Sequence, residues 1–255
     1  MSQNKVEFEA RNIKPFSQWL KRFSSIDNSL LLEIDEENSG FIAKTYDESR
    51  SVVKFSKMGF NDAGMTVKTS GNKRIKVGLF NIQKVIKTIE HFNNNEFLFT
   101  FNYGELIGEE TTYAGTNIVL KNQSLKITID CTSLNIFKYI SDELFNNTIS
   151  RCEPICKFKL DKETIDKINS LCSLDSDNKT MEFKSEDKKI FACGKTFEFL
   201  LNKDEKNSDV SLHIHKDQFE KLDTDDYEII IGEDRMVFSS KNSETITVIS
   251  SIEKE

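Results

Sequence analysis

Proline and glycine are scarce: two prolines and ten glycines among 255 residues. That excludes a collagen-like repeat and a long Pro- or Gly-rich linker. No apolar run approaches the ~18 residues that cross a bilayer. The opening Met1-Ser2-Gln3-Asn4-Lys5 has none of the apolar core of a secretory leader. The expectation is a chain with no membrane association that is not secreted, and that resides in the cytoplasm (a host's, if viral) or a nuclear-type compartment. Histidine occurs three times and tryptophan once. The five cysteines (131, 152, 156, 172 and 193) are an odd count and read as reduced thiols, mostly small core residues.

What is abundant points to a folded chain. Twenty phenylalanines, 37% hydrophobic and 30% charged residues are too core-rich for disorder. The length allows one large domain or two small ones. Thirty-five basic against 42 acidic side chains give −7. An acidic total disfavours a nucleic-acid binder only if the charge is evenly spread, so its distribution decides.

The same order of elements recurs four times. Val6–Ala10 alternates as a strand. Pro15 opens a helix in which Phe16, Trp19, Leu20 and Phe23 form one face. Strands are predicted at 29–34, 41–46 and 51–58. The second unit has a strand at 74–79, a helix capped by Asn81 with Ile82, Val85, Ile86 and Ile89 in a stripe, and strands at 96–103, 116–121 and 124–131. A stretch at 132–151 breaks the rhythm and reads as a connector. The third unit runs from a strand at 155–160 through a helix capped by Asp161 to strands at 180–184, 189–193 and 196–201. The fourth has a strand at 210–215, a short helix at 216–222 and strands at 227–231, 235–239 and 245–250. A helix with one apolar stripe must lie on a sheet, so each pair of units places two helices on one side of its sheets.

Catalytic motifs are weak. Gly194-Lys195-Thr196 resembles the end of a phosphate loop, but the glycine required five residues earlier is Lys189, and a hairpin turn is the plainer reading. His213 and His215 share one strand face, and Cys152 and Cys156 are spaced by three, without the further ligands of a metal site. No metal or cofactor is expected. His91 ends a helix, where the dipole favours a cation. Asp225-Asp226 and Glu36-Glu37 sit in predicted turns as solvated charge.

The helices differ from the rest of the chain. Together they carry +3, which leaves −10 for the remainder. Their charge falls along the chain: +3, +1, −1 and 0. The basic faces are either ordinary solvated surface or a surface for phosphates.

The succession of elements, with three local stretches, is similar to the DNA sliding clamp family, of the two-domain type found in phages, archaea and eukaryotes (the proliferating cell nuclear antigen and phage polymerase clamps). Phe8-Glu9-Ala10-Arg11 before a helix resembles the start of the cellular clamps. Ala43-Lys44-Thr45-Tyr46-Asp47-Glu48-Ser49-Arg50 resembles their strand with an Asp-x-Ser pattern, and the connector before Cys152 resembles their interdomain linker. The likeness covers essentially the whole chain.

The resemblance implies an α+β fold of two similar domains, 1–131 and 152–255, joined by the 132–151 connector. Each domain has two β-α-β-β-β units with helices on one face, and the chain is a subunit of a closed homotrimeric ring. It implies a DNA polymerase processivity factor and not an enzyme, with duplex DNA, a polymerase and a clamp loader as partners. Lys14, Lys21, Arg22, Lys84, Lys87, Lys162, Lys167, Lys216 and Lys221 would contact DNA. Leu125, Ile127 and Ile129 would meet Phe197, Phe199 and Leu201 of a neighbour. Tyr46, Leu134, Ile136, Phe137, Val248 and Ile249 would line a partner groove, although simple packing onto the sheets explains the connector apolars equally. Two alternatives stand beside this: a phage interaction or transcription-accessory protein on a clamp-like scaffold, and a metal-dependent enzyme around His213, His215 and a cysteine.

Overall fold

A computed structural model of the chain describes residues 4–71, 73–92, 96–106, 112–137, 141–203 and 208–252. It divides into two compact units, Met1–Thr45 with Phe55–Ile140, and Tyr46–Lys54 with Ser141–Glu255.

The first unit contains β1 (Lys5–Ala10), α1 (Lys14–Ser24), β2 (Ser29–Asp35), β3 (Gly40–Tyr46), β4 (Val52–Gly59), β5 (Met65–Thr69), β6 (Arg74–Phe80), α2 (Ile82–Glu90), β7 (Phe97–Leu106), β8 (Thr112–Lys121) and β9 (Lys126–Asp130). A 3-10 turn, Leu134–Phe137, follows. The strand order is β4-β3-β2-β6-β8-β7-β1-β5, with β9 on β8. β6 and β8 meet in a short parallel contact, while β1–β5, β1–β7, β2–β3, β2–β6, β7–β8 and β8–β9 pair antiparallel. The core is aromatic. The rings of Phe8, Phe16, Phe41 and Phe60 pack with centroids 4.8–5.6 Å apart in tilted and edge contacts.

Gly78 on β6 is required by close approach. A Cβ there would lie 2.4 Å from the Thr132 carbonyl oxygen and 2.7 Å from the Phe137 ring. The Thr132 amide donates to the Gly78 carbonyl at 2.8 Å, so the chain after β9 is laid directly on β6.

The second unit contains α3 (Asp142–Ser150), β10 (Cys156–Leu160), α4 (Lys162–Leu174), β11 (Thr180–Glu186), β12 (Lys189–Cys193), β13 (Glu198–Lys203), β14 (Val210–His215), α5 (Lys216–Phe219), β15 (Tyr227–Ile231), β16 (Arg235–Ser240) and β17 (Thr245–Ser250). Its strands run β10-β15-β16-β17 and β13-β12-β11-β14. The Ser250 amide donates to the Ser51 carbonyl at 2.8 Å, joining the 46–54 segment to the end of β17.

Three elements differ from the sequence reading. β5 is a strand exposed at four of its five residues, so it shows no alternation. The connector contains α3, which buries only Phe145 and therefore carries a weak apolar stripe. The last helix stops at Phe219 rather than Leu222.

Candidate nucleic-acid interface

In the first unit, α1 and α2 lie side by side on the sheet. Pro15 sits in the first turn of α1, where its missing N–H costs nothing. Phe16, Trp19, Leu20 and Phe23 are buried, and the Trp19 indole N–H donates to Ser56 Oγ at 2.8 Å. α2 begins at Asn81, whose φ of 60° is left-handed and whose side chain accepts from the Lys84 amide at 3.1 Å. The helices are tied by Lys21 Nζ to Glu90 Oε1 at 2.5 Å. Lys14, Lys21, Lys84 and Lys87 are exposed, and Arg22 is half-buried. On these two helices Glu90 is the sole carboxylate, and it is the one paired with Lys21.

The second unit's helices are different. The Asp161 carboxylate caps α4, accepting from the Thr164 amide at 2.8 Å, and the Thr164 side chain together with that amide holds its pKa below the ordinary value. Lys162 and Lys167 are exposed, and so are Glu163 and Asp166. Lys167 Nζ stands 4.5 Å from the centre of the Phe199 ring. Two of the expected phosphate contacts are corrected. Lys216 is buried, and its ammonium donates to the Cys172 and Asp175 carbonyls and to Asp175 Oδ2. Lys221 is half-buried and donates to Asp47 Oδ2 at 3.0 Å. Both cations serve internal carboxylates, so neither reaches outward to a phosphate. The exposed ionised residues of α5 and its C-cap are Asp217 and Glu220.

Asp47 explains the Asp-x-Ser stretch. Its carboxylate accepts from the Val52 amide and from the Ser49 and Ser51 hydroxyls, each at 2.9 Å, as well as from Lys221. Burial alone would raise its pKa, but these donors outweigh it and hold the carboxyl below the ordinary value. The motif builds a turn in which Arg50 adopts a positive φ of 59°.

The residues expected at a subunit interface lie on two ladder edges. β9 pairs with β8, and β13 with β12, with no second paired strand among the described residues. Ile127 and Ile129 pack partly against the first core, while Leu125 is 40% exposed. On β13, Phe197 (just before it), Phe199 and Leu201 are half-buried, and Leu200 is 41% exposed.

The expected partner groove is corrected in part. Val248 and Ile249 are buried, with Val248 beneath Cys152 and Ile149 at the end of α3. Phe137 is buried against Gly78. All three are buried within their own units and offer no surface. Tyr46 and Leu134 are half-buried, and Ile136 is exposed.

The Gly194–Thr196 stretch is a hairpin turn, closed by the Gly194 amide on the Phe197 carbonyl at 2.9 Å. Asp175 braces it, accepting from the Lys195 amide and the Thr196 hydroxyl at 2.9 and 3.2 Å. Nothing in the local sequence marks Asp175 for this role, because its partners lie 20 to 41 residues away. His213 Nε2 lies 3.9 Å from Glu182 and His215 is exposed at the start of α5. Among the described residues no group of three or more His, Cys, Asp or Glu is placed to hold a metal. No described helix is long and apolar enough to cross a membrane.

No protein-family model and no curated protein sequence matches the chain. Solved structures do. A DNA polymerase III beta chain from Streptococcus pneumoniae matches with a TM-score of 0.67 at 13% identity, over 98% of this chain and 66% of that one. The chain thus spans just under two thirds of the length of that bacterial beta chain. PCNA from A. fulgidus, solved with the C-terminal region of FEN-1, matches with a TM-score of 0.62 at 11% identity over 98% of this chain and 100% of that one. PCNA from Entamoeba histolytica matches at 0.65 and 11% identity over 97% and 99%. Over nearly its whole length, the chain has the fold of the DNA sliding clamps.

Proposed function

We propose that the chain is a DNA polymerase processivity factor: three copies close into a ring around duplex DNA and tether a polymerase placed there by a clamp loader. The observation that carries this reading is the match over nearly the full length of two-domain clamps, by a chain whose first helix pair presents lysines outward. Lysines meeting phosphates carry no base information, so binding is independent of sequence and falls with salt. Weak, evenly spaced contacts allow sliding, and enclosure rather than affinity retains the protein. No step of this role requires catalysis.

The ring would close where β9 of one copy extends the ladder of β13 in the next, with Leu125, Ile127 and Ile129 near Phe197, Phe199 and Leu201. Such pairing satisfies two edges at once and, being head-to-tail, can close. The 132–151 segment between domains 1–131 and 152–255 would present Leu134 and Ile136 to a short peptide, as A. fulgidus PCNA is bound by the C-terminal region of FEN-1. Primer extension on a circular template tests the role. The chain is expected to lengthen the products of its cognate polymerase when a loader is present; unchanged product length would favour a clamp-like scaffold serving another assembly.

A further inference from the structure

We infer that the chain contacts the DNA backbone through the first helix pair alone, the α4 and α5 surface being turned away from phosphate by its own charge. This rests on the ring reading above and narrows it to one half of each subunit.

The α1–α2 pair and the α4 and α5 surface are charged oppositely. On α1 and α2, Lys14, Lys21, Lys84 and Lys87 are exposed against one carboxylate, and Glu90 is bound to Lys21. On α4 and α5, counting their caps, Lys162 and Lys167 are exposed among Asp161, Glu163, Asp166, Asp217 and Glu220. One of those two lysines is drawn onto the Phe199 ring. The two further lysines of this segment are spent internally, Lys216 on Asp175 and Lys221 on Asp47.

The consequence is quantitative. Each phosphate neutralised by a lysine releases condensed counterions and steepens the fall of log affinity with log salt by about 0.9. A surface with more carboxylates than lysines gains no such release, and its exposed acids raise the local negative potential. The slope should therefore be carried by α1 and α2.

The test is equilibrium binding of the full-length protein to a fluorescent duplex across a salt series. The variant Lys14→Gln/Lys21→Gln/Lys84→Gln/Lys87→Gln is expected to lose at least about tenfold in affinity at low salt and to flatten the slope. Lys162→Gln/Lys167→Gln is expected to stay within about twofold of the parent with its slope intact. Replacing the first four by arginine should restore binding, which separates lost charge from lost folding. Equal losses in the two glutamine variants, or a larger loss from Lys162 and Lys167, would overturn the inference while leaving the ring reading in place. A parent protein with no salt-dependent binding would overturn both.

Discussion

The Lys216 ammonium lies 2.9 Å from the Asp175 carboxylate, and both side chains are buried. This pair joins the end of α4, the β12–β13 turn and the start of α5 into one knot. Breaking a buried pair leaves an uncompensated charge and costs about 3–5 kcal/mol. Asp175→Ala is expected to cost that much in urea unfolding, because Lys216 and three further donors (the Lys195 amide, the Thr196 hydroxyl and the Asn178 side chain) lose their acceptor. Lys216→Met should cost less, since Asp175 keeps the Lys195 amide and the Thr196 hydroxyl.

Acid should loosen the second unit. Burial would raise the Asp47 and Asp175 carboxyls, but their hydrogen bonds prevail and hold both below the ordinary 3.8. With the folded pKa lower than the unfolded one, the stabilisation is complete above 3.8. As pH falls below that value the unfolded chain takes the proton first, and the stabilisation is lost through the folded pKa. Thermal melts from neutral pH down to about 3 should show a falling midpoint, and Asp47→Asn should make that decline shallower. An equally steep decline in Asp47→Asn would show that this carboxylate is not among those responsible.

Gly78→Ala tests how the chain after β9 is seated. The added methyl meets the Thr132 carbonyl and the Phe137 ring. Since one of these is backbone, a cost of about 1–3 kcal/mol is expected. Faster limited proteolysis within 132–137 should accompany it, and a variant with parental stability and cleavage would contradict the packing described.

The two exposed leucines at the ladder edges test ring closure. Leu125→Glu and Leu200→Glu each place a charge where a neighbour would pair, at positions 40% and 41% exposed. Each single variant should dissociate the assembly with its folded-state circular dichroism unchanged. Assembly that survives both substitutions would place the interface elsewhere.

The helices were the most legible part of the sequence. The spacing of Phe16, Trp19, Leu20 and Phe23, and of Ile82, Val85, Ile86 and Ile89, marks stripes that are buried as expected. Asn81 and Asp161 cap where their side chains suggest. What escaped the sequence depended on distant partners. Lys216 sits where an outward lysine would, and only the arrival of Asp175 from 41 residues away buries it. Val248 and Ile249 were assigned to a groove by the resemblance alone, not by any pattern in the strand. In β17 both are buried core residues. β5 gave no signal because nearly all of it is exposed, and α3 gave little because one phenylalanine anchors it.

The most direct test of the account is the mass of the purified protein in solution by light scattering. Three times the 29.4 kDa of one chain is the predicted result. A single chain's mass at micromolar concentration would contradict enclosure of DNA, and with it the proposed role.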